Sequence, residues 1–179
     1  MKFFVFLHLL LLINTVSARE VLTFKAYSEK KQNLEVVSLV GKAHVIFFSS
    51  IDCPCSDSHM AHFNELKKKY PQVEFLAINV NDYNENKEQI SAYYKEKSPS
   101  LNWYWDKGFK VSDLFKAVKT PHVFLLNEKG QIIYHGGVSN SSNFPKASKF
   151  YLQDALADLK ANRDVKKKFA RALGCYIAR

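Results

Sequence analysis

Residues 43–49 (AHVIFFS) are a short apolar run rich in β-branched and aromatic side chains, ended by the polar stretch Ser49-Ser50-Ile51-Asp52. Such a run predicts a central strand. The period then changes. Met60, Phe63, Leu66, Lys67 and Tyr70 recur at three- to four-residue spacing, with Asn64, Glu65, Lys68 and Lys69 between them. This pattern predicts an amphipathic helix that starts near Ser56 and lays one stripe on the sheet. Cys53 and Cys55 fall in the turn between strand and helix. There the first unpaired helical amides and the positive end of the helix dipole favour a thiolate, which makes Cys53 a candidate nucleophile by location.

The alternation continues along the chain. Residues 20–27 predict an edge strand, 28–33 a turn and 34–40 a second short strand, a hairpin that Gly41-Lys42 joins to the central strand. Residues 73–80 (VEFLAINV) carry little polar interruption, as in a strand buried on both faces. A polar loop over 81–86 leads to a helix at 87–97, with Ile90, Tyr93 and Tyr94 inward, that stops before Ser98-Pro99. Residues 101–105 form a short aromatic segment. Val111, Leu114, Phe115 and Val118 then keep helical spacing up to Thr120. Residues 122–126 and 131–135 predict a hairpin across Asn127-Glu128-Lys129-Gly130, 139–148 a loop, and Leu152, Ala155, Leu156 and Leu159 a last helix. The order of elements is α/β, a central mixed β-sheet flanked by helices.

Met1-Lys2, the apolar residues 3–13 and the small-residue pattern Val16-Ser17-Ala18 predict a secretory signal peptide over residues 1–18. The apolar run is shorter than the ~20 residues of a membrane span. Export to a secreted or periplasmic location follows, without stable membrane insertion after cleavage. What remains is long enough for one core: a domain over residues 19–160 and a basic tail over 161–179 carrying Cys175. The formal charge is +9, and between Lys160 and Arg179 seven basic side chains face Asp164 alone. No nucleic-acid reading motif accompanies them, so nucleic acid is not an expected partner. The tail reads as a solvated, positively charged strap. Three cysteines are an odd count for an exported chain. A structural framework uses even numbers, so the odd count points to exchange chemistry in which partners swap.

The strand, the Cys53-Pro54-Cys55-Ser56 turn and the helix, followed by Lys119-Thr120-Pro121-His122-Val123-Phe124, resemble the thioredoxin superfamily. On its Cys-x-x-Cys pattern Cys53 takes the attacking place and Ser56 that of the resolving cysteine. The chain is more similar to secreted redoxins of the alkyl hydroperoxide reductase and thiol-specific antioxidant group. Many of these carry Cys-Pro-x-Ser at the turn and end in Gly-Cys-x-Ile, as Cys53-Pro54-Cys55-Ser56 and Gly174-Cys175-Tyr176-Ile177 do here. The resemblance implies a thioredoxin-like fold with an N-terminal hairpin and a C-terminal extension, and no cofactor. The implied activity is thiol-disulfide exchange through Cys53 and a mixed disulfide. Its partners would be a protein or small-molecule disulfide, or a peroxide, and an external thiol reductant. Cys55 and Cys175 compete to resolve; the tail pattern favours a Cys53–Cys175 disulfide, formed directly or relayed through Cys55. Thr120-Pro121 is implied to be cis and to face the cysteine turn, with Thr120 offering backbone groups to an extended substrate and His122 close to the thiols.

Two positions depart from the pattern. Phe47 stands six residues before Cys53, where thioredoxins keep a buried carboxylate. In the peroxidase motif Pro-x-x-x-Thr-x-x-Cys, Ile46 replaces the proline and Ser50 the threonine. Peroxide reduction therefore keeps half its motif and is the second reading. A third, from another class, is a copper carrier, because the thiolates of Cys53 and Cys55 with His59, Met60 or His62 suit Cu(I). Met60 belongs to the core stripe, and His59 and His62 read as exposed helix residues, so no metal set is assigned.

Overall fold

The computed structural model describes residues 19–80 and 86–179. The leader predicted over residues 1–18 and nearly all of the loop predicted over 81–86 lie outside the described residues. In chain order these form β1 (Thr23–Ser28), β2 (Asn33–Ser38), β3 (His44–Ser49), α1 (Pro54–Lys69), β4 (Glu74–Asn79) and α2 (Lys87–Lys97). There follow β5 (Asn102–Trp105), α3 (Lys110–Phe115), β6 (Lys119–Thr120), β7 (His122–Leu126), β8 (Ile132–Gly136) and α4 (Tyr151–Lys160). Two short strands, β9 (Phe169–Ala170) and β10 (Cys175–Tyr176), lie in the tail.

Among the described residues the main sheet has the order β2-β1-β5-β4-β3-β7-β8-β9, and β10 pairs separately with β6. Every residue of β3 is buried. It lies between parallel β4 and antiparallel β7, so the sheet is mixed as predicted. The pleat of β3 divides its side chains between two cores. Val45 and Phe47 join Met60, Phe63 and Leu66 of α1, Ile90 and Tyr94 of α2 and Leu152 and Leu156 of α4. Ile46 and Phe48 join Val111 and Phe115 of α3 and Phe24 of β1.

Helix α1 begins two residues earlier than predicted. Pro54 takes its first position, where a missing N–H costs nothing, and Cys53 becomes the N-cap. Asp57 in the first turn and Lys67, Lys68 and Lys69 in the last complement the helix dipole.

Three assignments change for reasons of pairing. β1 is not an edge strand: it lies between β2 and β5, and the edge is β2, where Leu34 and Val36 are exposed. The aromatic segment 101–105 contains β5, which parallel β4 and antiparallel β1 hold between them. Helix α3 stops at Phe115 because Lys116 adopts a left-handed conformation (φ 58°), and the chain turns away to start β6. Of the residues that keep helical spacing, Val111 and Phe115 are buried, while Leu114 and Val118 are exposed.

The tail is not a free strap. β9 adds in parallel to β8, with His135 N donating to Lys168 O (3.0 Å) and Gly137 N to Ala170 O (3.2 Å). Val165, Ala170, Ala172 and Ile177 are buried, while Lys166, Lys167, Lys168 and Arg171 stay exposed. Small apolar residues dock the segment and its charges face outward. Gly136 permits the approach: at φ +134° a Cβ there would overlap the Ala170 carbonyl.

Phe47 stacks on Phe63 with ring centroids 4.3 Å apart and is fully buried. Phe47→Ala is expected to lower the unfolding free energy by about 3–5 kcal/mol, through lost transfer energy and a residual cavity. Chemical denaturation of the two proteins checks this.

Candidate active site

Cys53 ends the loop after β3 in an extended conformation (φ −97°, ψ 107°) and caps α1. Its amide donates to Ser50 O at 3.1 Å, so the buried Ser50 shapes the turn through its backbone. Cys55 lies in the first turn of the helix and is half-buried. The Thr120-Pro121 bond is cis, as the resemblance implied. The loop faces the turn, and as a thiol Cys53 donates to Thr120 O at 3.2 Å.

The tail completes the site. In antiparallel register Cys175 of β10 lies opposite Thr120 and Tyr176 opposite Lys119, and Ile177 N donates to Val118 O at 3.1 Å. Gly174 (φ +154°) is what lets this strand lie so close, since a Cβ there would overlap the Thr120 carbonyl. Arg179 anchors the end of the tail to Asp113 (2.8 Å) and to Ala117 O (2.7 Å). Lys119 Nζ sits 4.4 Å from the centre of the Tyr176 ring. As a result the sulfurs of Cys53, Cys55 and Cys175 all lie within 4.8 Å of one another, each a free thiol.

The three thiols are not equivalent. Burial alone would raise Cys53, but hydrogen bonding from Cys175, Thr120 and the amide and hydroxyl of Ser56 outweighs it and holds the thiol down at about 7, from 9.0. In the neutral site the hydroxyls of Ser56 and Thr120 are buried without a partner, and so are available to a thiolate. Cys175 is pushed up to about 12 by burial and by its role as donor to Cys53. Cys55 is raised by burial and by the Cys53 charge. One sulfur ionises near neutral pH while its neighbours keep their protons.

Several site expectations change. Thiol exchange requires a reachable thiolate, yet Cys53 is only 2% exposed, shut in between α1, the Thr120-Pro121 loop and the tail. His122 is not at the thiols. Pleating turns its ring to the α3 side of the sheet, where it stacks on Phe124 (4.5 Å) and its Nδ1 accepts from Val118 N (3.4 Å). Burial and the neighbouring His135 hold it at about 4, so it is neutral at pH 7. His59 and His62 are buried rather than exposed, because the loop after β8 folds over α1. The His59 nitrogens lie 2.8 Å from Cys55 O and 3.0 Å from Ser139 Oγ. His62 stacks on Phe144 at 4.3 Å. Neither joins the thiols, and Met60 is in the core. Gly174 had been only part of a motif; a glycine directly before a cysteine was the one sign of the close approach it makes.

A mixed sheet whose central strand runs into a cysteine-capped helix, opposite a cis-proline loop, is a thioredoxin-like fold. Within that class the chain belongs to the DUF6436 family, a domain of unknown function whose model matches residues 22–178. It is similar to an uncharacterised conserved protein from Geobacillus kaustophilus, with TM-score 0.80 and 22% identity over 90% of this chain and 91% of that one. A hypothetical protein from Sinorhizobium meliloti 1021 matches with TM-score 0.79 and 20% identity over 92% and 95%. A secreted disulfide oxidoreductase from Mycobacterium tuberculosis matches with TM-score 0.57 and 15% identity over 78% and 93%. No curated relative matches the sequence. Among the described residues no helix is long and apolar enough to cross a membrane.

The reduced chain is expected to lose one thiol to iodoacetamide at a rate that rises with pH, has its midpoint near 7 and then levels, since Cys53 is a thiolate above that value. Thr120→Val removes a hydroxyl donor and is expected to raise the midpoint by about one unit, the worth of a hydrogen bond to a charged group. Stopped-time alkylation with peptide mapping reads both; a wild-type midpoint near 9.0 would contradict the donor arrangement.

Proposed function

We propose that this chain is an exported thiol-disulfide oxidoreductase that works through the Cys53 thiolate. One observation carries the reading: three free thiols within 4.8 Å at a helix N-terminus, one of them held at about 7, facing a cis-proline loop. The similarity to a secreted disulfide oxidoreductase supports both the chemistry and the compartment. So does the leader read from residues 1–18, which directs the domain over 19–160 and its tail over 161–179 to an oxidising space.

The Cys53 thiolate attacks one sulfur of a substrate disulfide. That S–S bond breaks, the other substrate sulfur leaves as a thiolate, and a mixed disulfide with Cys53 forms. Cys175, whose proton passes to the departing sulfur or to water, then attacks the Cys53 sulfur. The second substrate thiol leaves, and a Cys53–Cys175 disulfide remains. Cys55 stands close enough to relay that disulfide by the same attack. An external thiol reductant restores the three thiols. Because Cys53 is covered, a substrate sulfur reaches it when β10 parts from β6, a pairing of two residues on each strand.

The reduced full chain is expected to reduce insulin or an aromatic small-molecule disulfide, and Cys53→Ser to fall to background. Cys175→Ser is expected to accumulate a mixed disulfide at Cys53 that wild type does not. Non-reducing peptide mapping of the oxidised chain reads the resolving partner. Full activity in Cys53→Ser would falsify the reading, and a Cys53–Cys55 bridge alone would remove Cys175 from it.

A further inference from the structure

The three sulfurs come from three places: the N-cap of α1, its first turn, and a strand of the tail brought in under Gly174. All lie within 4.8 Å of one another, and among the described residues no histidine nitrogen or carboxylate oxygen joins the group. A metal–sulfur bond of about 2.3 Å puts the corners of a planar three-coordinate site roughly 4 Å apart. The sulfurs are thus near the positions such an ion needs, and the two half-buried ones, on Cys55 and Cys175, have room to close the difference.

We propose that the reduced chain binds one Cu(I) ion through Cys53, Cys55 and Cys175. Softness selects the element: thiolates favour Cu(I), while hard cations take oxygen ligands. Ligand number together with burial separates it from zinc. A Zn²⁺ held by only three protein ligands keeps an open fourth position for water, and here Cys53 is closed off beneath the tail. Structural Zn²⁺ is almost always held by four protein ligands, and this site offers three. Three-coordination by sulfur is an ordinary geometry for Cu(I). The burial of Cys53 beneath the tail keeps water from the ion and so protects the lower oxidation state. Coordination displaces thiol protons and moves no electrons. It needs all three sulfurs reduced, so copper loading and a Cys53–Cys175 disulfide exclude each other.

The histidines expected beside the cysteines are not the ligands here. His59 is occupied by Cys55 O and Ser139 Oγ, and His62 packs against Phe144. The tail supplies the third donor in their place, from the other end of the chain. That difference makes the site testable through the tail alone.

Reduced full chain is titrated anaerobically with Cu(I) against a chromophoric chelator, and the loaded protein is examined by copper X-ray absorption. One equivalent and a first shell of three sulfurs are expected. Cys175→Ser is expected to weaken binding by more than about 100-fold, since even outer-shell partners of a metal are worth 10- to 100-fold. Gly174→Ala keeps every ligand but pushes the tail from Thr120, and is expected to weaken binding as well while circular dichroism stays unchanged. No competition with the chelator, a two-sulfur shell, or unchanged affinity in Cys175→Ser overturns the proposal. The inference stands apart from disulfide exchange: a chain that reduces disulfides but takes no Cu(I) overturns it alone, and one that binds three-sulfur Cu(I) but exchanges no disulfide overturns only the redox reading.

Discussion

A sulfur anion withdrawn from water persists only where protein donors replace the hydration it has lost. At Cys53 those donors come from three separate elements. The first turn of α1 offers the Ser56 amide and hydroxyl, the loop before β7 offers the Thr120 hydroxyl, and the tail offers the Cys175 thiol. Each has to arrive at the same point, and the rest of the architecture arranges this. β3, buried along its length between β4 and β7, fixes both the place where α1 begins and the place where the Thr120-Pro121 loop ends. The aromatic layer of Phe47, Phe63 and Phe75 presses α1 onto the sheet.

The third donor belongs to the last few residues of the chain. Its approach depends on the absence of side-chain carbon at two points. Gly136 allows β9 to lie against β8, and Gly174 allows β10 to lie against β6. The same closeness that completes the donor set also buries Cys53 and crowds three thiols together. Crowding then separates their proton affinities: whichever sulfur ionises first raises the others, and the one with most donors, Cys53, goes first. Nucleophile, hydrogen-bond donor and covering strand are therefore one arrangement, and the tail takes part in each.

Net charge had pointed the other way for this segment. The run from Lys160 to Arg179 looks like a solvated face when its charges are counted. What holds it are Val165, Ala170, Ala172 and Ile177, spaced among the lysines and too small or too few to form a periodic stripe. Binding to the body goes through backbone hydrogen bonds and the Arg179 contacts, and charge patterning carries no record of these.

What the residues determine by themselves is local. A run such as AHVIFFS forms a strand wherever it lies, and a stripe through Met60, Phe63 and Leu66 forms one face of a helix. A cysteine just ahead of that helix meets unpaired amides because every α-helix leaves them at its start. Hydrophobic period and helix-end chemistry act over a few residues, which is why β3, α1, β4, α2, the hairpin after Thr120 and the place of Cys53 could be read directly. Tertiary structure decided which segments became neighbours: β1 beside β5, the 139–148 loop over His59 and His62, His122 turned toward Phe124, and Cys175 carried back to Cys53. Those outcomes rest on contacts between residues far apart in the chain, selected by the shape and room each segment leaves for another, and no one-dimensional pattern contains that room.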